Sequence, residues 1–561
     1  TCPSDGDWTR NGPITNYALS VRGGTGNVTY FASGNFGRED GILPTQRSTD
    51  GGSRANVTFA PTDELSFTLN NAFQKRDSRF VADGNNAEGF LLNVGRGANN
   101  YLKGGKAGEC DAVPDDMVCT TNAYAFESDN LASSDHFTSG LTAMYAPTDN
   151  FTHRLTVGYD YTHINAETTL PFAYLTLPEG YYWDENTRHT KVSLDYSGSF
   201  LNSFGESLAS TFSWGGQLFR DRRRWTEFDV QSFAGPGEPT LESGAELTYR
   251  ADEVVSGTNA GFFLQEQLGW RDRLFVTAGV RVDGNSAFGD DFGLQPYPKV
   301  SASYVLSDYD WWPTDFWETF KLRAAVGESG KAPDAFDKVR TWAPVSGDDG
   351  GPGFTPLDIG NDQVGPERTR EIEAGFDASF FDGRLGAEFT AFHARTIDAL
   401  VPVVYPPSQG FLASRNENVG ELVNKGLEFA LTAGVLRTRS VDWQVRFNGS
   451  LFESEVIDLD DGDPDTTEIY TGLNSYLIEG QPGPVYRGLR VMNPNEIGGP
   501  LVTDTVIGLV YPNRLLGLGT TLTLFNRLTP DALAELHGGL YVQSYTGYQR
   551  GGRRAWPPGL A

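Results

Sequence analysis

The hydrophobic and polar positions of this chain alternate with a period of two residues over long stretches. Between residues 150 and 164, apolar side chains occupy every second position and polar side chains mostly lie between them. Successive side chains of a β-strand point to opposite faces, so this pattern predicts a strand with one apolar and one polar face. At about 15 residues, the segment is much longer than the strand of about 5–6 residues usual in globular proteins. Its apolar members are Phe151, Leu155, Val157, Tyr159 and Tyr161.

The same alternation predicts about 18 strands along the whole chain. They lie at 15–22, 27–37, 52–60, 64–75, 135–146, 150–164, 189–200, 207–220, 257–270, 273–283, 298–306, 318–327, 367–380, 384–397, 421–433, 440–454, 515–525 and 531–543. Residues 455–514 contain too few clear strands to be assigned.

The connections between the predicted strands alternate between short and long. Short turns fall at 23–26, 61–63, 147–149, 271–272 and 382–383, and long connections at 76–134, 165–188, 221–256, 328–366 and 398–420. Short turns at one end and long loops at the other are typical of transmembrane β-barrels, whose turns are periplasmic and whose loops are extracellular. A soluble β-solenoid or sandwich explains the alternation but not this asymmetry. The predicted fold class is therefore an all-β, antiparallel transmembrane β-barrel.

Composition alone suggests a water-soluble protein, with 39% hydrophobic residues and a mean hydropathy of −0.38. No apolar run is long enough for a membrane-spanning helix. A barrel wall is compatible with both facts, because only every second residue of a strand contacts lipid. The net charge of −29 argues against a nucleic-acid partner, since binding a phosphate backbone requires a surface rich in Lys and Arg.

The three cysteines indicate the redox compartment of the protein, and the two chain ends indicate whether the sequence is part of a longer protein. Cys110 and Cys119 lie in one long polar loop, so we expect a disulfide between them and an oxidising compartment, with two reduced thiols as the alternative. Cys2 is left over, and we expect its partner upstream of this chain. The chain begins with Thr1 and shows no signal peptide, and its last residues do not form a strand pattern. We therefore expect residues 1–561 to be one transmembrane domain within a longer protein.

Several motifs, taken in order, make the chain resemble a known family. They are Pro298–Tyr304, Phe320–Gly330, Pro366–Asp377, Asn418–Glu421, Asn424–Glu428 and Glu479–Gly488. No one of them is diagnostic, but together they resemble the barrel of TonB-dependent outer-membrane transporters, and within them the SusC-like branch. The similarity is strongest between residues 298 and 545.

The resemblance implies a barrel of about 22 strands around an N-terminal plug domain, of which about 18–20 strands would be present here. Under this resemblance, we expect the plug and the closing strands to lie outside the given sequence. It further implies an outer-membrane location in contact with lipid and lipopolysaccharide, energy from the TonB–ExbB–ExbD complex acting on the plug, and a SusD-like lipoprotein that covers the barrel. The expected cargo is a large solute, with glycans or peptides favoured. Alternatives are a siderophore or cobalamin receptor, a passive channel, or a structural or adhesive protein.

The residues give no support for an enzyme, a cofactor or a metal site. Gly327–Lys331 resembles a phosphate-binding loop, but Ala325 and Ala332 stand where that motif needs glycine and a hydroxyl residue. The six histidines show no metal-binding spacing. The acidic stretch Asp458–Glu468 has the oxygen ligands that calcium prefers, but it departs from the EF-hand order and is expected to be a solvated loop.

Aromatic residues in the predicted long loops are the best candidates for ligand binding. Aromatic rings can stack on sugars, peptides or chelates with little loss of side-chain entropy. The alternative is that these rings pack within the loops or anchor the membrane interface. The candidates are Tyr174, Tyr181, Tyr182, Trp183, Trp342, Phe354, Tyr405 and Phe411. A second group, Trp311, Trp312 and Trp317, lies at a short-turn end and is expected in the periplasmic aromatic girdle.

Overall fold

The computed structural model describes residues 9–82, 89–90, 126–174, 177–237, 239–347, 350–459, 467–493 and 501–543. The described residues contain 24 β-strands. The chain divides into two compact units: unit 1 comprises Thr1–Phe200 and Gly215–Gly261, and unit 2 comprises Leu201–Trp214 and Phe262–Ala561. Among the described residues, no helix has the length and apolar character needed to cross a membrane.

Unit 1 consists of long antiparallel strands, each paired with the next along the chain. Strands β1 to β7 are Ile14–Thr25, Val28–Asp40, Arg47–Phe59, Leu65–Phe80, Asp129–Thr148, Phe151–Leu170 and Tyr181–Phe204. Their pairing is continuous from β1 to β7, apart from one bulge near the turn between β5 and β6. Strands β8 (Leu208–Phe233) and β9 (Gly244–Trp270) contribute residues 215–233 and 244–261 to this unit.

One face of the unit 1 sheet is apolar and exposed. Cross-strand neighbours on this face form a row of aliphatic side chains whose exposed fractions lie between 39% and 43%. The row consists of Val57, Leu69, Leu141, Val157 and Leu194. A water-soluble sheet buries such a face against a second layer, whereas an exposed apolar surface of this extent indicates contact with a partner or a membrane. We call it the apolar face.

The opposite face of unit 1 carries polar side chains in the same register. Hydroxyl groups pair across neighbouring strands, with 3.2 Å between the oxygens of Thr58 and Thr68 and 3.2 Å between those of Thr142 and Thr156. Next to Thr156 in the register lies Asp195, which accepts a hydrogen bond of 2.6 Å from the Gln217 amide. We call this the polar face, and its side chains require water or a polar partner.

Unit 2 repeats this construction with a second run of antiparallel strands. Its long strands are β10 (Leu274–Asn285), β11 (Gln295–Val305), β12 (Trp317–Lys331), β15 (Glu367–Phe380), β16 (Leu385–Val403), β17 (Arg415–Arg437), β18 (Val441–Asp458), β23 (Arg514–Leu524) and β24 (Asp531–Gly538). From β10 to β12, each strand pairs with the next, and β12 pairs with β15. From β15 to β18, each strand again pairs with the next. The sheet continues from β18 to β23 and from β23 to β24.

In the described parts of the long connections of unit 2 there are six shorter strands and one 3₁₀ turn. Strands β13 (Trp342–Ser346) and β14 (Pro352–Pro356) form a hairpin. Strands β19 (Glu468–Gly472), β20 (Ser475–Ile478), β21 (Val485–Val491) and β22 (Val502–Leu509) form a four-stranded sheet. The 3₁₀ turn is Pro407–Gln409. The segment 455–514, which the sequence pattern left unassigned, thus contains the end of β18 and this small sheet.

The long sheet of unit 2 also has an apolar and a polar face. A row of large apolar side chains crosses β11, β12, β15, β16 and β17, with Phe376 and Phe389 stacked at 5.7 Å between ring centroids. Buried hydrophobic clusters lie instead at the loop ends of the strands and in the segments next to them, and one of them joins Val401 of β16 and Val456 of β18 to Leu459. The loop ends of the strands therefore have compact cores, whereas the apolar rows farther along the long strands remain exposed.

All eighteen predicted strands are present, but several are longer than predicted. Strands β7, β8 and β9 have 24, 26 and 27 residues, so the predicted loops 165–188 and 221–256 shrink to 171–180 and 234–243. Strands β16 and β17 likewise reduce the loop 398–420 to 404–414. The sequence missed most of these extensions because the two faces carry similar side chains there, mostly polar in β7 and apolar in 399–403 of β16. A strand with two similar faces lacks the alternating signal although its backbone stays paired.

The predicted girdle tryptophans lie at the turn between β11 and β12. Between β11 and β12 the indole of Trp312 packs on Trp317 at 4.7 Å and donates a hydrogen bond of 2.6 Å to its carbonyl oxygen. These rings lie at a turn end, where the predicted aromatic girdle was placed. Cys2, Cys110 and Cys119 lie outside the described residues, so the predicted disulfide stays a prediction.

Candidate functional site

Two aromatic rings stand on the polar face of unit 1 at the loop end of β7. Register places Tyr181 and Trp183 on the same face as Asp195. The hydroxyl of Tyr181 donates to Asp229 Oδ2 at 2.9 Å, and the indole N–H of Trp183 donates to Glu227 Oε1 at 2.8 Å. Each half-buried ring is thus fixed by a carboxylate on β8. We call these four residues the rim site.

The electrostatics of the rim site favour hydrogen-bond acceptance. Its two carboxylates, Asp229 and Glu227, accept hydrogen bonds from the Tyr181 hydroxyl and the Trp183 indole. Asp229 Oδ1 is buried and has no hydrogen-bond partner in the part of the chain described here, so it can accept a hydrogen bond from a ligand.

The other candidate aromatic of this region has a different environment. Tyr174 lies in the short connection 171–180, is 1% exposed, and begins a turn with its backbone. Its ring belongs to the packing of the loop, so direct contact with a ligand would require the loop to rearrange. This is the self-packing alternative considered for the loop aromatics.

In unit 2 the β13–β14 hairpin exposes two of the candidate rings. Trp342 is 52% exposed and Phe354 is 75% exposed. Phe411 is buried beneath Trp342, with 5.6 Å between the ring centroids, and the Arg340 guanidinium lies 5.5 Å from the Phe411 ring. Phe411 therefore supports the hairpin, while Trp342 and Phe354 remain available for contacts. We call these two residues the hairpin site.

A carboxylate holds the surrounding loops of unit 2 together. Glu417 accepts hydrogen bonds from the Tyr405 hydroxyl, from the Arg415 guanidinium and, at 3.1 Å, from the Asn361 amide. The Arg415 guanidinium also lies 4.7 Å from the Tyr405 ring. Burial and the Glu417 carboxylate raise the pKa of Tyr405. Tyr405 is thus a fixed part of the loop framework.

The loop that precedes β15 is equally constrained. Gly360 has a φ of +66°, and a Cβ added there would lie 2.5 Å from the backbone nitrogen of Arg340. Asn361 is 4% exposed, and its amide also donates to the carbonyl of Asn416 at 3.0 Å. The hairpin site therefore rests on a rigid base.

Substitution of Glu417 by alanine is expected to loosen this framework. The loss of charge-assisted hydrogen bonds in a half-buried site should lower the local opening free energy by about 2 kcal/mol, which corresponds to amide exchange roughly 30-fold faster. Hydrogen–deuterium exchange of residues 359–365 and 405–418 measures the effect. Glu453→Gln, which removes a carboxylate that is 76% exposed, is the matched control and should leave exchange unchanged. Equal exchange rates in the two variants would contradict the assigned role.

The polar face of unit 2 carries an open pocket with a volume of about 550 Å³. Its wall includes Arg323, Glu388, Glu428, Glu535 and His537. Arg323 already donates to the Asp377 carboxylate at 2.9 Å, so the wall has an excess of negative charge. Such a wall suits a polar or basic partner.

The structure groups only some of the predicted aromatics. Tyr182 and Trp183, predicted in a loop, lie in β7, and only Trp183 faces the rim site. Sequence reasoning missed Glu227, Asp229 and Glu417, because all three lie in segments that it assigned to loops. The alternation of Glu227 and Asp229 with Phe228 and Val230 was the available signal for the end of β8. No group of three or more metal-ligating side chains occurs within the described ranges.

Comparison with known proteins places this architecture in a family. Residues 84–555 match the family profile "TonB dependent receptor-like, beta-barrel". TonB-dependent receptor P26 of Formosa agariphila is 24% identical over 568 residues, covering 92% of this chain and 56% of the relative. TonB-dependent receptor SusC of Bacteroides thetaiotaomicron is 21% identical, covering 81% of this chain and 48% of the relative. The chain thus spans about half the length of these curated relatives.

Solved structures show the same fold. The RagAB peptide transporter superposes with a TM-score of 0.81 at 16% identity, covering 95% of this chain and 62% of that chain. The siderophore receptor PirA from Acinetobacter baumannii superposes with a TM-score of 0.51 at 14% identity, covering 92% and 72%. The predicted fold class and the predicted resemblance to SusC-like proteins are both confirmed. With a profile match over most of its length, the chain belongs to the TonB-dependent receptor family, through the β-barrel portion of that family.

Proposed function

We propose that this chain forms the membrane-spanning barrel of an outer-membrane transporter that captures a large solute in its long loops and imports it. The observation that carries the proposal is that the long strands expose rows of apolar side chains on one face and carry polar side chains on the other. A water-soluble protein would bury the apolar face. Lipid outside and a polar interior account for both faces. The outer membrane of a Gram-negative-type bacterium is the compartment that suits this arrangement and the family.

The rim site and the hairpin site are the proposed solute contacts. Fixed aromatic rings with adjacent carboxylates suit neutral or basic ligands that carry many hydrogen-bond donors, such as glycans or peptides. The net charge of −29 disfavours highly acidic solutes. The likeness to the RagAB peptide transporter supports the peptide class, and the match to SusC supports the branch.

Energised import requires partners beyond this chain. The acidic cavity wall of unit 2 offers a surface for a plug domain, on which the TonB complex would act. Exposed apolar loop residues, among them Val404 at 76% and Leu412 at 82%, offer a surface for a SusD-like lipoprotein. We further propose that the chain is a transporter component without enzymatic activity and that residues 1–561 form one barrel domain.

Uptake by cells that carry the full-length gene tests the proposal. Fluorescently labelled casein peptides and labelled oligosaccharides of mixed length serve as probes. We expect uptake of one probe class, its loss after gene deletion, and its loss when an uncoupler collapses the proton gradient. Uptake that persists with the uncoupler would mean a passive channel, and the absence of uptake in any condition would favour an adhesive role.

A siderophore receptor is the alternative within the same family. Its distinguishing property would be saturable binding of ferric chelates by the purified full-length receptor. The TM-score with PirA is 0.51, compared with 0.81 for the RagAB peptide transporter. This difference favours a peptide or glycan transporter over a siderophore receptor.

A further inference from the structure

The pattern of rings and carboxylates in the rim site continues along both of its strands. The rim site contains two pairs, each with a ring on β7 and a carboxylate on β8, joined by hydrogen bonds of 2.9 Å and 2.8 Å. Alternate residues of a strand share a face, so Glu185 of β7 and Trp225 of β8 lie next to these pairs on the polar face. There the carboxylate is on β7 and the ring is on β8. We call the rim site together with Glu185 and Trp225 the ring-carboxylate ladder.

The carboxylates of the ladder accept hydrogen bonds from neutral groups. Asp229 and Glu227 accept from the phenol and the indole of the rim site, and Glu185 accepts from the Thr187 hydroxyl at 3.5 Å. Among the described residues, the ion pairs of β7 and β8 involve other side chains. The three carboxylates are half-buried, which weakens the screening of their charges by water. The ladder therefore holds three neighbouring negative charges without a counter-charge.

One carboxylate oxygen of the ladder lacks even a neutral donor. Asp229 Oδ2 accepts from the Tyr181 hydroxyl, whereas Asp229 Oδ1 is buried and has no hydrogen-bond partner in the part of the chain that the structure describes. Leaving a buried carboxylate oxygen without a donor is costly. A ligand that brings an N–H or O–H donor to this oxygen would remove that cost.

Basic side chains at this end of the two strands lie mostly on the opposite face. Arg188 of β7 and Arg222 and Arg224 of β8 occupy the positions that alternate with those of the ladder. Arg223 shares the face of the ladder, but its guanidinium donates to Glu253 at 3.3 Å. The two faces therefore differ in charge at the loop end of β7 and β8. The negative face is the polar face, which carries the proposed solute contacts.

Rings next to unpaired carboxylates are suited to a positively charged group. The face of an aromatic ring attracts a cation, most strongly for tryptophan, and a carboxylate adds a charge-assisted hydrogen bond. A neutral sugar could donate to the unpartnered oxygen, but it would leave the three negative charges uncompensated. An ammonium or guanidinium group supplies both the donor and the charge.

We infer that the ring-carboxylate ladder binds the positively charged side chains of the imported solute, so that the transporter selects peptides rich in lysine or arginine. This inference rests on the proposed function and narrows its solute class. Neighbouring positions of the ladder on one strand are about 7 Å apart. Every second side chain of an extended peptide has the same spacing, so its basic side chains reach successive pairs of the ladder.

Binding of two labelled peptides to the purified full-length receptor in detergent tests the inference. Both contain serine and glycine with lysine at every second position, and in one of them every lysine is acetylated, which removes the charge but keeps the length. We expect the lysine peptide to bind at least about tenfold more tightly at low salt, and sodium chloride to reduce this preference. Glu227→Gln with Asp229→Asn should remove most of the preference. Their amide oxygens still accept hydrogen bonds from Tyr181 and Trp183, so the rings stay in place.

A second variant tests the contribution of the rings. Trp225→Leu keeps an apolar side chain but loses the aromatic face. It should weaken binding of the lysine peptide about three- to fivefold, as expected for the loss of one cation–π contact.

Asp184→Asn is the matched control for the loss of charge. Asp184 lies between Trp183 and Glu185 in β7 but points to the opposite face, where it accepts a hydrogen bond from the Asn186 amide at 3.0 Å. Its substitution removes one charge from the same strand and should leave the preference for lysine unchanged. This control separates binding at the ladder from the general attraction of cations by a chain with a net charge of −29.

Two kinds of failure can be told apart. Equal binding of both peptides by the parent receptor, no peptide binding at all, or a lysine preference that survives in the Glu227 and Asp229 variant would overturn the inference, provided that heat-shifted gel mobility shows a folded barrel. Energised uptake of a neutral oligosaccharide or of the acetylated peptide as fast as that of the lysine peptide would also overturn the inference while leaving the proposed function intact. Selective binding of the lysine peptide by a receptor that imports none of the probes would support the inference and contradict the proposed function.

Discussion

Val157→Arg is expected to impair insertion of the barrel and to lower its stability in lipid by about 2–4 kcal/mol. Val157 is 42% exposed and lies between the equally exposed Leu141 and Leu194 on the apolar face. In water, an exposed valine replaced by arginine would change stability by no more than about 0.5 kcal/mol. The expected loss arises because the guanidinium would have to enter hydrocarbon. Urea titration of protein folded in lipid vesicles, followed by heat-shifted gel mobility, measures it.

Thr156→Arg is the matched control for this substitution. Thr156 is the preceding residue of the same strand, points to the polar face, and has Asp195 as its cross-strand neighbour. The same side chain in the same strand should be tolerated there, because it faces water or polar groups. Equal destabilisation by both substitutions would contradict the assignment of the two faces.

Trp183→Ala is expected to lower solute affinity about 10- to 30-fold. The ring is half-buried and fixed by Glu227, so it presents its surface without a further loss of side-chain entropy, and buried aromatic anchors commonly contribute about 2 kcal/mol or more to binding. Titration calorimetry of the full-length receptor with the probe class that cells import measures the change.

Two further variants separate stacking from hydrogen bonding at the rim site. Trp183→Phe keeps an aromatic surface but loses the N–H, so it should have a smaller effect. Trp443→Phe is the control, since Trp443 lies at the turn end of β18 and donates to Thr520. Unchanged affinity in Trp183→Ala would contradict solute binding at the rim site. The solute contacts would then lie at the hairpin site or in segments outside the described residues.

The long strands could be predicted from the sequence because a single physical rule governs them. Residues 151–161 alternate between the apolar and the polar face of the sheet, and the hydrophobic pattern directly records the two faces. Beyond the apolar rows this rule no longer holds. In β7, Tyr181, Tyr182 and Trp183 are consecutive aromatics on both faces, so no period of two is visible although the backbone remains paired. Strand ends, and with them the position of the rim site, were therefore mispredicted.

The loop framework depends on contacts between segments distant in sequence. Glu417 accepts hydrogen bonds from Tyr405, from Arg415 and from Asn361, which lies 56 residues away in the sequence. Nothing in the local sequence pattern around Glu417 indicates these contacts. The small sheet β19–β22 was missed for another reason. Its strands have four to eight residues and lack a sustained alternation, so their signal is weaker than that of a long membrane strand.

A spin-label scan along residues 151–161 of β6 tests the central claim most directly. Labels at successive positions of the receptor in lipid vesicles report their accessibility to oxygen, which concentrates in lipid, and to a water-soluble nickel complex. We predict that oxygen accessibility peaks at Leu155, Val157 and Tyr159 and that nickel accessibility peaks at the residues between them, with a period of two and opposite phase. Water accessibility of both sets would contradict a membrane-facing apolar surface and, with it, the proposed transporter.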